Sequence, residues 1–143
     1  MTEIANLLTQ NNLGQSTCVS IGGDAFVGST FLDLLPLYEA DADTDALVLF
    51  CEPGGVMEEQ LAERLKSRPS RLRIVAFVAG RFADLRQGVR FGHSGAIVEG
   101  SHGSPAGKAA ALASAGVRVA QKLSDIPALV RDQDIQEAPW APS

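Results

Sequence analysis

Ala46-Leu47-Val48-Leu49-Phe50-Cys51, followed at once by Glu52-Pro53-Gly54-Gly55, is the stretch on which the fold turns. An unbroken apolar run this short predicts a strand covered on both faces, as in a parallel sheet. Beyond the glycine turn, Met57, Leu61 and Leu65 recur at helical spacing with charged residues between them. Pro69 stops that helix, and residues 73–78 supply a second strand ending at Ala79-Gly80. Further along, Ser104 as N-cap, Pro105 at the first helical position and Gly116 just past the end bracket another helix. Residues 96–98 are a short apolar stretch, 117–119 read as the strand that closes the sheet, and Ser124 caps a last helix containing Ile126, Leu129 and Val130. In the other direction, residues 16–21 are β-rich and stop at Gly22-Gly23-Asp24. A helix over about residues 3–11, with Thr2 as N-cap, precedes them. A second, opened by Ser29, carries Phe31, Leu34, Leu35 and Tyr38, and Pro36 should kink or shorten it. Strands alternating with helices predict an α/β fold, a mostly parallel sheet with helices on both faces and right-handed crossovers. One domain over residues 1–131 and a polar, mobile tail over 132–143 complete the outline.

The composition fits one packed domain. The chain has 143 residues, 45% hydrophobic and 20% charged, enough to bury roughly 70% of the surface that the unfolded chain exposes. Seventeen acidic against 12 basic residues give a net charge of −5, and no Lys/Arg cluster breaks that balance, so nucleic acid is excluded as the expected partner. No apolar run approaches the ~18 residues that span a bilayer, and the N-terminus lacks a leader pattern, so a cytoplasmic protein without membrane contact is expected. Cys18 and Cys51 lie in apolar stretches with no C-x-x-C pair, which predicts two buried, reduced thiols and no metal site.

In a parallel sheet, chemistry gathers where the strands end. Three glycine-containing loops, residues 22–28, 52–55 and 80–95, emerge at that edge. Gly54-Gly55 directly before a helix can offer free backbone N–H groups to an anion at the positive end of the helix dipole, although a turn needing glycine geometry gives the same pattern. Glu52 ends the central strand, where a carboxylate must face solvent or pair with a cation or imidazole. His93, between Gly92 and Ser94-Gly95, is either an ordinary loop ring or a nucleophile whose tautomer a carboxylate fixes. His102, in Gly100-Ser101-His102-Gly103, reads as an exposed loop residue.

The residues also carry a family resemblance. The segment from Gly14 through Ser20-Ile21-Gly22-Gly23-Asp24, with Gly28 and Phe31-Leu32-Asp33, resembles the second domain of the succinate–CoA ligase α subunit. So do Cys51-Glu52-Pro53-Gly54-Gly55 with Glu58-Glu59, Arg90-Phe91-Gly92-His93-Ser94-Gly95-Ala96-Ile97, the helix around Lys108, and Ala115-Gly116-Val117. The resemblance implies a flavodoxin-like three-layer α/β/α domain, without the family's first strand, its Ser-Arg-Ser-Gly loop and its CoA-binding domain. It implies that His93 is transiently phosphorylated and that Glu52 hydrogen-bonds it; on geometric grounds alone, the amides of Gly54, Gly55 and Val56 are the candidates for gripping the phosphate. The implied function is a phosphoryl relay between acyl phosphate and nucleotide in an acyl-CoA synthetase. CoA, ATP or GTP and Mg would belong to the complete enzyme, none of them bound by this chain alone. A nucleotide-binding β subunit and a CoA-binding domain or subunit are the implied partners, with room for a homo-oligomer. The alternative is a non-catalytic domain of the same fold serving in assembly or binding.

Overall fold

β1 (Ala46–Cys51) and β2 (Arg73–Val78) run parallel along their whole length, with Ala46 opposite Arg73 and Cys51 opposite Val78. β3 (Arg118–Ala120) joins the far side of β2, also parallel, and the sheet order is β1-β2-β3. The computed structural model describes residues 1–23, 26–80 and 103–131. The helices among them are α1 (Thr2–Gln10), α2 (Phe31–Ala40), α3 (Met57–Ser67), α4 (Pro105–Ser114) and α5 (Ile126–Val130), the last entered through a 3-10 turn at Leu123–Asp125. The apolar stretch at residues 96–98, the tail 132–143, His93 and His102 lie outside the described residues.

Side chains alternate across the sheet because successive Cβ atoms of a strand point to opposite faces. Leu47, Leu49 and Cys51 of β1 and Ile74, Ala76 and Val78 of β2 enter one core, packed by Leu35 of α2, Leu61, Ala62 and Leu65 of α3, and Ala109 and Leu112 of α4. Val48, Val75 and Phe77 enter a second core with Ile4 and Leu8 of α1 and Ile126 and Leu129 of α5. Two cores on two faces make the three layers. β1 is apolar throughout and β2 is apolar after Arg73 because the sheet is covered on both sides, which is why these two strands read so plainly.

Local chemistry sets the helix ends. Thr30 caps α2: its hydroxyl accepts from the Asp33 amide at 3.3 Å while the Asp33 carboxylate accepts from the Thr30 amide at 2.8 Å, a reciprocal capping box. The Thr30 hydroxyl also holds the Asp33 carboxyl below its ordinary range. Ser104 caps α4, accepting from the Gly107 amide at 3.0 Å. Arg71, just ahead of β2, donates to the carbonyls of Glu39 (2.7 Å), Thr44 (2.9 Å), Tyr38 (3.3 Å) and Asp41. One guanidinium thereby satisfies the orphan carbonyls at the end of α2 and ties that helix to the start of the sheet.

Several expectations need correction. Residues 16–21 form no strand, and among the described residues no backbone hydrogen bond joins them to β1. Their β-rich composition has no ladder partner here, and a strand is stable only as part of a ladder. Cys18, within that segment, is exposed, whereas Cys51 is buried as expected. Thr2 is the first residue of α1, with Met1 at the cap position, and Ser124 lies inside the 3-10 turn. Thr30, not Ser29, opens α2.

Candidate functional site

The carboxyl ends of β1 and β2 meet the start of α4 around one glycine turn. Gly54 and Gly55 both have left-handed backbones, φ 88° and 66°, which lets the chain leave β1 and enter α3 within a few residues. The Gly54 amide donates to the Gly103 carbonyl at 2.8 Å. Gly103 is also left-handed, and a Cβ on it would stand 3.1 Å from the Gly55 carbonyl oxygen. Gly80, at the end of β2, has φ 77°, and a Cβ there would come within 2.4 Å of the Pro53 ring. Glycine at 80 and 103 is thus required by close approach as well as by dihedral.

These contacts set the ends of the segment that carries His93. It leaves the described structure after Gly80, against Pro53, and re-enters at Gly103, bonded to Gly54. Glu52 is exposed at the end of β1 and makes no hydrogen bond or ion pair with a described residue; His93, its expected partner, lies outside the described residues. The structure also divides the three expected phosphate donors. The Gly54 N–H is already donated, while the N–H groups of Gly55 and Val56 have no partner among the described residues. Val56 is the N-cap of α3 and supplies no side-chain cap, so these amides sit at the uncapped positive end of an 11-residue helix.

Beneath the turn lies an ionic cluster that sequence reasoning missed. Lys108 of α4 is fully buried, 0% exposed, and donates to the carboxylate of Glu58 on α3, itself 5% exposed. Glu59 Oε1 accepts the Gly103 amide at 3.0 Å; its Oε2, 3.9 Å from the Lys108 ammonium, is buried without a hydrogen bond. Burial holds the Glu58 carboxyl above its ordinary range, with the Lys108 charge opposing the shift. Burial, reinforced by Glu58, pushes the Cys51 thiol well up, so that it stays protonated. A signal for this pair was available. The buried positions of α3 are 58, 61, 62 and 65, and those of α4 are 105, 108, 109 and 112, the same i, i+3, i+4, i+7 stripe on each helix. A charge of opposite sign on each facing stripe marks a buried pair. Among the described residues no group of three His, Cys, Asp or Glu side chains could hold a metal ion, and no helix is long and apolar enough to cross a membrane.

A three-layer parallel α/β domain with a glycine turn at its carboxyl edge is an arrangement that many families share, so the family rests on likeness of sequence. The CoA-ligase family profile matches residues 1–121, and the chain belongs to that family. It is 48% identical over 131 residues to the succinate–CoA ligase [ADP-forming] subunit alpha 1 of Archaeoglobus fulgidus, covering 90% of this chain and 43% of that protein. It is 42% identical over 129 residues to the ADP-forming sulfoacetate-CoA ligase subunit SauD of Bilophila wadsworthia, again over 90% of this chain and 43% of that protein. Among solved structures, Methanosaeta concilii ATP citrate lyase, in complex with (3S)-citryl-CoA, superposes with a TM-score of 0.81 at 30% identity, over 90% of this chain and 21% of that one. The chain therefore spans less than half the length of these curated relatives.

Proposed function

We propose that this chain is the phosphohistidine-carrying part of a nucleoside-diphosphate-forming acyl-CoA ligase. The observation that carries the reading is the anchoring of the His93 segment: both ends close on the glycine turn, Gly80 against Pro53 and Gly103 on Gly54, next to the amides of Gly55 and Val56, which have no partner among the described residues. The reaction is reversible, and in the direction that forms the nucleoside triphosphate the neutral imidazole of His93 attacks the phosphorus of an acyl phosphate. A nitrogen–phosphorus bond forms, the acyl oxygen–phosphorus bond breaks, and a carboxylate leaves. The terminal phosphate oxygen of a nucleoside diphosphate then takes the phosphoryl group and frees the ring. Gly55 and Val56 would hold phosphoryl oxygens through their N–H groups, and Glu52 would orient the ring and stabilise its developing charge. Acyl-CoA, nucleotide and its metal would be held by a CoA-binding domain or subunit and a nucleotide-binding β subunit, in keeping with relatives named as ligase subunits.

The test is labelling in a complex reconstituted with those partners. Label from γ-labelled nucleotide should attach to this chain in an acid-labile, base-stable form. His93→Ala should abolish it, and Glu52→Gln should slow it by on the order of 100-fold, a few kcal/mol of electrostatic support. Full labelling of the His93→Ala variant would defeat the relay. It would leave the second reading, a domain of this fold serving in assembly, which is in keeping with an outer edge of β1 that has no strand partner among the described residues.

A further inference from the structure

Glu59 stands three residues after Val56, the N-cap of α3. From that position a glutamate ordinarily reaches back to accept the N–H of the cap residue, closing one side of a capping box. α2 shows the arrangement in this chain: Asp33, three residues after the cap Thr30, accepts the Thr30 amide at 2.8 Å. Glu59 does not follow it. Its Oε1 instead accepts the Gly103 amide at 3.0 Å, and the Val56 N–H has no partner among the described residues.

The rotamer is held at a cost. Glu59 Oε2 is buried without a hydrogen bond, 3.9 Å from the Lys108 ammonium, which Glu58 already pairs. A second carboxylate at that separation returns little Coulomb energy, and a buried oxygen without a donor is unfavourable. What the rotamer secures is Gly103. The Gly103 carbonyl accepts from the Gly54 amide at 2.8 Å, so Glu59, Gly103 and Gly54 form one hydrogen-bonded line from the first turn of α3 back to the glycine turn that precedes it. Gly103 is also where the segment containing His93 re-enters the described structure.

We propose that Glu59 is a positioning residue of the phosphate turn, turned away from its own helix cap to fix the end of the His93 segment and to leave the Val56 N–H for a phosphoryl oxygen. This rests on the phosphohistidine reading and adds to it the residue that sets the turn. Reach decides the role, and charge does not. Glu59→Asp keeps the charge but is one methylene short of Gly103, and in that place it matches Asp33 and can close on the Val56 amide. Glu59→Gln loses the charge but keeps an oxygen at the distance Gly103 needs.

Hydrogen exchange by NMR on the chain alone should show the Gly103 amide exchanging at least about tenfold faster in Glu59→Asp and the Val56 amide slower, with both near wild type in Glu59→Gln. In the complex reconstituted with its partners, Glu59→Asp should slow labelling of His93 at saturating nucleotide by at least about tenfold without moving the half-saturating nucleotide concentration, while Glu59→Gln stays within about threefold of wild type. Gly116→Ala, beyond the far end of α4, controls for lost stability and should label at the wild-type rate; if it slows as much as Glu59→Asp, stability explains both and the proposal fails. A Gly103 amide as well protected in Glu59→Asp as in wild type would overturn the proposal. So would a Glu59→Gln variant that falls as far as Glu59→Asp, since the role would then be one of charge. Labelling of both the wild type and Glu59→Asp at full rate defeats the proposal alone; a wild-type chain that takes no label defeats the phosphohistidine reading, and the proposal with it.

Discussion

Lys108 is a charge held where its helix offers only apolar company. Its partner is as deeply placed, so each depends on the other: a buried pair stabilises little against an apolar replacement, but half a pair is costly. Lys108→Met should destabilise the fold by about 3–5 kcal/mol in urea unfolding at neutral pH, and adding Glu58→Leu should restore most of that loss. The pH dependence has a definite sign. Burial raises the Glu58 carboxyl above its ordinary 4.5, so the folded chain binds that proton more tightly than the unfolded chain. The stability linked to this proton is fully present below the unfolded value and is lost as pH rises through the folded one. Without Lys108 the opposing charge is gone and the shift grows. Lys108→Met should therefore cost less at about pH 5 than at about pH 8. Equal losses at both would show that Glu58 does not titrate between them.

At the scale of elements, the glycine contacts hold the carboxyl edge together, and they are separable. Gly116 ends α4 with φ 82° and open space around its missing Cβ, so Gly116→Ala should cost only the left-handed backbone penalty, about 1–2 kcal/mol. Gly80→Ala carries the same penalty and also drives a methyl into the Pro53 ring. It should cost more in thermal unfolding, and the excess should shrink when Pro53→Ala is combined with it. Equal costs for the two glycines would mean that the Pro53 contact gives way freely. The sequence made β1, β2, α3 and α4 legible because each obeys its own period: unbroken apolar runs for covered strands, and Ser104, Pro105 and Gly116 as punctuation for α4. Residues 16–21 misled because β composition states what a segment would do with a neighbour, and the neighbour is a property of the sheet. The Glu58–Lys108 pair went unread because Met57, Leu61 and Leu65 gave an adequate apolar stripe, although the buried one shares Leu61 and Leu65 and has Glu58, not Met57, in its first turn. Glu52 and the Gly54-Gly55 turn were legible as chemistry, but that Gly54 spends its amide on Gly103 is a tertiary fact no local pattern contains.

Among the described residues of the whole molecule, the groups that could recognise a ligand are few and small. Two amides at the start of α3 without a partner among the described residues would suit one phosphoryl group, whereas CoA and a nucleoside diphosphate each present several phosphates and a base. Gripping those requires a glycine-rich phosphate loop or a basic cradle. The sequence has neither G-x-G-x-x-G nor G-x-x-x-x-G-K-[ST], and its net charge of −5 repels polyanions. Relatives named as CoA ligases match this chain over only 43% of their length, which leaves most of each relative to supply those sites. Titration calorimetry of the 143-residue chain with CoA, and separately with ADP, should accordingly give no saturable heat at ligand concentrations up to about a millimolar, a free energy weaker than about −4 kcal/mol. Micromolar binding of either would place a complete polyphosphate site within these residues, and would move the division of labour between this chain and its partners.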